Sequence, residues 1–304
     1  MEHEKRPAGT VAGIIILTVT AMIWGCAFAA QDAAAESLNT FTFNALRMAM
    51  AVIALGAALP ICDRFGLSKA PETKEEWKKT VTAGLICGFC LFIASNLQQF
   101  GLELGTDSGK AGFITALYIV LVPVAGIFFK KKTAPLLWVG VAVAVVGMYL
   151  LCVGEGAFSI NTGDLLVFLC ACCFTVHILV VSHFSDSTDG IRVSFIQFAV
   201  VAVLSTPFMI FIERPTQEAI RSCLFPLIYA GVFSGGVGYT MQIIGQKYVQ
   251  PGPASLIMSL ESVFAVLSGW VFLGQSLSAR ELIGCVLMFA AIILAQIEPK
   301  KRQK

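Results

Sequence analysis

One carboxylate, Glu261, stands in the middle of the apolar run Ala254-Ser255-Leu256-Ile257-Met258-Ser259-Leu260-Glu261-Ser262-Val263-Phe264-Ala265-Val266-Leu267. Inserting an acidic side chain at the centre of a membrane helix costs roughly 2.5–3.5 kcal/mol. A group held at that cost should face a cavity or a partner, not lipid. Ser255, Ser259, Ser262 and Ala265 flank it, so another backbone or a solute can come close. The chemistry open to such a group is reversible: binding a solute, pairing with a charge, or exchanging a proton. Covalent catalysis asks for more. The chain has no G-x-S-x-G, no H-E-x-x-H, no P-loop and no cluster of acids spaced for a metal.

Other polar residues interrupt apolar surroundings in the same way. The stretch Ser95-Asn96-Leu97-Gln98-Gln99-Phe100 holds three amides, a density that calls for internal hydrogen bonds or a wet cavity. Asp107 or Ser108 can cap the helix that follows, and Thr115 and Tyr118 sit one turn apart along it. Tyr239 and Gln242 share a face beyond the glycines Gly231, Gly235, Gly236 and Gly238. Gln197 is a weaker candidate of the same kind. Trp24 is mid-span, away from the interfacial belt where Trp77, Trp138 and Trp270 belong. It is either an aromatic wall or bulk packed against Gly25. The expected solute contacts are therefore Glu261 and Ser259 with Asn96, Gln98 and Gln99. Thr115, Tyr118, Trp24, Tyr239 and Gln242 complete them.

Two further polar residues are read as structural. Arg47, inside Phe43-Asn44-Ala45-Leu46-Arg47-Met48-Ala49, is expected to clamp loose carbonyls or a buried partner. Glu261 is one candidate partner. His177 is a lone histidine on an apolar helix, read as a satisfied buried imidazole before a proton relay. Neither a metal nor a cofactor is expected. The pair Cys87 and Cys90 is spaced C-x-x-C but has no second pair beside it, so these thiols read as small hydrophobes.

The elements that must position these groups are membrane helices. Hydrophobic residues form 57% of the chain and charged residues 13%, about half the charged share of an average soluble domain. Ten apolar segments recur, at about 10–31, 40–61, 79–101, 109–129, 134–153, 163–184, 191–212, 223–245, 252–273 and 279–297. Each is near the ~20 residues needed to cross the hydrocarbon. The first, containing Val11 to Ala30, reads as a span doubling as an uncleaved signal.

Charge fixes the orientation. With the N-terminus in the cytoplasm, 16 of the 21 basic residues are cytoplasmic, including Lys5, Arg6, Lys130, Lys131, Lys132 and the Lys300–Lys304 tail. The outer loops hold Lys110, Arg214, Arg221 and Arg280. An odd number of spans would leave one basic tail outside. The basic residues form no continuous stripe, which argues against nucleic acid. In the longer loop Lys69 to Lys79, Thr73 and Glu76 match a capping box. That loop reads as a solvated helix start in preference to a lipid-anchoring collar.

The halves also resemble each other. Ala111-Gly112-Phe113-Ile114 through Phe128-Phe129 to Trp138-Val139-Gly140 parallels Ala254-Ser255-Leu256-Ile257 through Val271-Phe272 to Leu282-Ile283-Gly284, offset by about 143–144 residues. Five helices per repeat is odd, so the second copy would enter the membrane inverted. The expected units are residues 1–153 and 154–304. Gly84…Gly88 and Gly101…Gly105 are G-x-x-x-G spacings, cheap matches in a chain with 27 Gly.

Taken together, the chain resembles a drug/metabolite transporter superfamily permease of the EamA type. The resemblance rests on Trp24-Gly25-Cys26-Ala27-Phe28, on Leu46-Arg47, on the run from Gly101 through Asp107, Lys110 and Thr115 to Tyr118, and on Leu260-Glu261-Ser262-Val263-Phe264-Ala265. Pro123 is retained, whereas Ser262 stands where the family usually has proline, which puts a helix kink there in doubt. The resemblance implies an all-α integral membrane fold of ten transmembrane helices in two inverted five-helix repeats. The fifth and tenth helices would be peripheral and both termini cytoplasmic. It implies a secondary transporter, expected to be an exporter, in the bacterial inner (plasma) membrane. The solute would be a small neutral or zwitterionic metabolite such as an amino acid, moved by alternating access through proton exchange or facilitated diffusion. If protons are coupled, Glu261 is the natural acceptor. The expected partners are that solute and the lipid bilayer, with the chain a monomer or weak homodimer. The rival reading is a non-transporting polytopic membrane receptor or scaffold.

Overall fold

The structure is a computed structural model, and it describes residues 7–35, 37–106, 108–128, 134–153, 160–273 and 278–296. The basic residues Lys5, Arg6, Lys130–Lys132 and Lys300–Lys304 lie outside the described residues, as does the expected cap Asp107. Regular structure among the described residues is helical throughout. In order come α1 (Pro7–Ala35), α2 (Thr40–Arg64), α3 (Lys74–Glu103), α4 (Ser108–Thr115), α5 (Tyr118–Phe128), α6 (Pro135–Cys152) and α7 (Thr162–Phe184). Then follow α8 (Gly190–Phe208), α9 (Gln217–Ser222), α10 (Leu224–Ile228), α11 (Thr240–Gln246), α12 (Pro251–Met258), α13 (Glu261–Leu273) and α14 (Ala279–Gln296). Two π-helical segments, Met209–Glu213 and Tyr229–Tyr239, continue α8 and join α10 to α11.

Taken singly or as runs of consecutive elements, the described helices form eight spans long and apolar enough to cross a membrane, and Pro135–Leu151 is a shorter apolar helix. Large apolar side chains such as Ile53, Phe211 and Phe225 point outward, while Asn44, Gln99, His177 and Gln197 are buried. That arrangement inverts the pattern of a water-soluble core and suits a bundle whose outer solvent is hydrocarbon. The protein is a multi-pass membrane protein.

Polar groups at helix ends fix the bundle. Asn39, before α2, makes no side-chain cap; Glu213 supplies one from the end of the other helix. Its carboxylate accepts from the Phe41 N–H at 2.9 Å and from the Thr42 N–H and O–H at 2.6 Å each. This joins the start of α2 to the end of the α8 segment. At their other ends Asp189 caps α8 through the Arg192 N–H at 2.9 Å and also accepts from the Ser68 hydroxyl and the Lys69 N–H. Arg192 completes the fastening with a 2.7 Å contact to Asp63 and a contact to the Ser68 hydroxyl. Asp164 does the same for α4 and α7. It closes a capping box with Asn161, accepts from Thr106 at 3.1 Å and pairs with Lys110 at 2.5 Å. The expected box at α3 forms by half: Thr73 accepts from the Glu76 N–H, but the Glu76 carboxylate accepts from Glu72.

Two interruptions carry the internal offset into the backbone. α4 gives way to α5 at Ala116–Leu117, and α12 to α13 at Ser259–Leu260, 143 positions later. The same tight bonds form at both: Leu117 N–H to Ile114 C=O and Ile119 N–H to Ala116 C=O, then Leu260 N–H to Ile257 C=O and Ser262 N–H to Ser259 C=O. These three-residue spacings tighten the turn and let the next helix restart at a new angle. Pro123 follows only the first break. The second forms without proline at 262, so the doubt raised by Ser262 is answered by the turn itself.

α6 and α14 pack closely on one another. A Cβ on Gly140 would meet the Ala291 carbonyl at 2.9 Å, and one on Gly147 would meet the Gly284 carbonyl at 3.0 Å. Gly284 lies 144 positions after Gly140, and Ala291 lies 144 after Gly147. The contact is therefore reciprocal, each residue facing the counterpart of the other. Gly84 and Gly88 likewise admit Ile196 and Val200 of α8, so this G-x-x-x-G spacing is a packing face; Gly105 instead takes a turn at φ +83°.

Candidate functional site: a central polar cavity

The break before α13 decides where Glu261 sits. The residue is the first of α13, not the middle of a continuous helix. The Ser259 hydroxyl donates to the Leu256 carbonyl at 2.7 Å, occupying a group the broken ladder leaves spare. A carboxylate at a helix start also lies where the helix dipole favours negative charge. Glu261 is buried, and its Oε1 accepts from the Tyr118 hydroxyl at 3.1 Å. Tyr118 is the first residue of α5, at the other break. The two half-helix starts thus meet through one hydrogen bond.

Around this pair is a hollow, open along part of its boundary, whose empty space with the solvent at its mouth comes to about 520 Å³. Trp24, Gln98, Thr115, Tyr118, Tyr239, Gln242 and Glu261 line it, so seven of the ten expected contacts come together. Gln98 donates to the Thr115 hydroxyl at 3.1 Å. Gln242 donates to Gln246 at 3.1 Å, and Gln246 donates to the Ile178 carbonyl at the same distance. The Gln242 Oε1 has no protein partner.

Trp24 is a wall of the cavity. Its indole N–H donates to the Ser234 carbonyl at 3.1 Å, and its ring lies 4.7 Å from that of Tyr239. The glycine it packs on is Gly238, where a Cβ would come within 2.6 Å of the indole nitrogen. Gly25, the neighbour expected to receive it, faces α13 instead: a Cβ there would meet the Glu261 carbonyl at 2.5 Å.

Three expected contacts do not line the cavity. Ser259 is spent on the helix break. Asn96 donates to the Phe92 carbonyl at 2.7 Å and accepts from Asn44 at 3.0 Å. Gln99 is fully buried, with neither amide atom bonded. At about 100° per residue, positions 96, 98 and 99 cannot share one helix face; only Gln98 reaches the hollow. His177 faces Gln197 at 3.0 Å and stacks edge-on to Tyr239, which makes it and Gln197 supports of the wall.

Arg47 meets one of its two expectations, a buried partner in place of loose carbonyls. It lines the cavity, and among the described residues its one hydrogen bond runs from Nη1 to Gln31 Oε1 at 3.3 Å, with no backbone carbonyl held. Its guanidinium lies 5.0 Å from the Phe43 ring centroid, and its Nε–H is buried without a partner. Among the described residues no ion pair joins Arg47 to Glu261. Gln31, Phe174, Ile178 and Ser234 are wall residues the sequence reading did not single out. Gln31 had a signal: with Trp24 and Ala27 it makes an i, i+3, i+7 face on α1.

The comparisons with known proteins agree with this architecture. The sequence model of the EamA-like transporter family matches the chain twice, over residues 11–153 and 161–296. A protein of Archaeoglobus fulgidus, named an uncharacterized transporter, is 29% identical over 287 residues, covering 92% of this chain and 84% of its own. Uncharacterized transporter YwfM of Bacillus subtilis is 24% identical over 304 residues, 97% of each chain. One solved chain, described as a crystal structure of a protein, superposes with a TM-score of 0.76 at 19% identity, covering 96% of this chain and 97% of its own. That likeness is one of fold.

Proposed function

Because the chain belongs to the EamA-like transporter family, we propose that it is a secondary transporter that moves a small neutral or zwitterionic metabolite, such as an amino acid, through the cavity around Glu261. The observation that carries this reading is a buried carboxylate with no ion partner among the described residues, at the start of a half-helix, on the wall of a polar hollow. Broken helices whose starts point at a central site recur in carriers.

The transport cycle we propose is alternating access between two inverted five-helix repeats, residues 1–153 and 154–304, forming ten transmembrane helices. The 143-residue spacing of the two breaks, the reciprocal contact of α6 with α14 and the double match of the family model support it. Both termini are then cytoplasmic, in the plasma membrane, as the basic loops favour. Net flow is outward, in keeping with the resemblance, and a proton on Glu261 is the simplest counter-substrate.

A vesicle uptake panel with the purified protein tests the reading. The expected result is saturable flux of at least one small metabolite, abolished by Glu261→Ala in protein that still inserts and elutes as a folded species. A chain that binds solutes but moves none of them would be the receptor or scaffold instead.

A further inference from the structure

The cavity holds one guanidinium and one carboxylate that do not pair with each other. Arg47 is 4% exposed and Glu261 is 5% exposed. Arg47 spends one of its five donors on Gln31, through a bond slightly longer than usual; its Nε–H is buried away from the hollow, and among the described residues no hydrogen bond reaches Nη2. Glu261 accepts one hydrogen bond, from Tyr118. Both therefore keep unused hydrogen-bonding capacity toward the hollow they line.

A buried charge left unpaired is costly, and a fixed pair would have cancelled the cost within the protein. Here the two are held apart. An uncharged solute could hydrogen-bond both groups but would neutralise neither charge. A cation would satisfy only Glu261, and an anion only Arg47. A solute with both a carboxylate and an ammonium satisfies both at once. Trp24, Tyr239 and Phe174 line the same space and offer apolar area for a side chain.

We propose that Arg47 and Glu261 are the two anchors of a zwitterion site, the guanidinium taking the solute carboxylate and the carboxylate taking its ammonium. This rests on the carrier reading above and deepens it. It also reassigns Arg47 from scaffold to specificity. A planar guanidinium can hold a carboxylate through two parallel N–H···O bonds, so the donor fork sets orientation as well as charge. Gln31, through its bond to Nη1, positions the fork.

The test is binding, measured apart from flux. The purified protein is screened by thermal shift against the twenty L-amino acids. The best of these is then compared with the amine lacking its carboxylate and the acid lacking its amino group. The expected result is that the amino acid stabilises the protein and that each one-charge analogue binds at least about 30-fold more weakly, the loss that follows when one of two buried partners is removed. Arg47→Gln should erase the preference over the amine, and Glu261→Gln the preference over the acid, while Arg47→Lys keeps part of the first. The variants are read only if they elute as single species with native helix content; otherwise the wild-type comparison decides. The proposal is overturned if an analogue binds as tightly as the amino acid, if no amino acid shifts the melting curve, or if folded variants keep both preferences. Flux of an uncharged solute without amino-acid binding would leave the carrier standing and remove the zwitterion site. Amino-acid binding without flux would do the reverse.

Discussion

Gly25→Ala should damage this protein out of proportion to one methyl group. The Cβ would lie 2.5 Å from the Glu261 carbonyl oxygen, 2.6 Å from the Phe264 Cβ and 2.7 Å from the Ala265 nitrogen. Ordinary van der Waals contact begins near 3.4 Å, so the nearest atom must retreat by about 0.9 Å. Two of the three atoms are backbone of α13, which has no rotamer to escape into. α13 must move away from α1, and Glu261 moves with it. Forced overpacking costs about 1–3 kcal/mol, before any loss from moving the site. Gly56→Ala is the matched control. Its Cβ would meet one atom, the Phe195 ring edge, at 3.3 Å, and that side chain can yield. Removing a mid-helix glycine there should raise stability, by up to about 1 kcal/mol. The assay is thermal unfolding in detergent beside flux in vesicles. Gly25→Ala should melt lower and carry less, while Gly56→Ala should melt no lower and carry normally. Equal melting and flux for the two variants would refute the claim that α1 and α13 touch through backbone beside the site.

Three further outcomes follow from single contacts. Glu213→Ala strips three hydrogen bonds from the start of α2, and charge-assisted caps of this kind are worth about 1.5–3 kcal/mol; unfolding should come earlier with flux per folded molecule little changed. Tyr118→Phe removes the one protein donor to Glu261, so transport should fall several-fold while the helix content by circular dichroism stays native. Asp164→Asn leaves the capping geometry but drops the charge opposite Lys110, so its loss of melting temperature should shrink as salt is raised, because screening already weakens that partly exposed pair in the parent protein.

The sequence disclosed the fold through features that survive averaging. Apolar stretches of membrane length and basic loops are read without knowing any contact, and the 143-residue offset reappears as two helix breaks. The lining of the cavity was legible where one residue breaks an apolar context, as with Glu261 and Tyr118. It was obscure where the answer depended on helix phase. Asn96 and Gln99 look equivalent to Gln98 in composition, yet the helical turn sends one to Asn44 and the other into solid packing. Ser259 was misread because a hydroxyl beside a carboxylate suits a site and a broken ladder equally well. Arg47 was expected to clamp carbonyls or a buried partner, and Gln31 is such a partner, though the sequence could not name it. That its Nε–H lacks a partner among the described residues is a property of the assembled bundle, which the sequence does not carry.

Transport as proposed requires Glu261 to lie on the route that a solute takes across the membrane. Counterflow is its most direct measurement: purified protein in vesicles loaded with unlabelled solute, with labelled solute of the same kind added outside. The parent chain should accumulate label transiently, and Glu261→Gln, equally folded and equally reconstituted, should not. Counterflow in the variant at the parent rate would contradict the account.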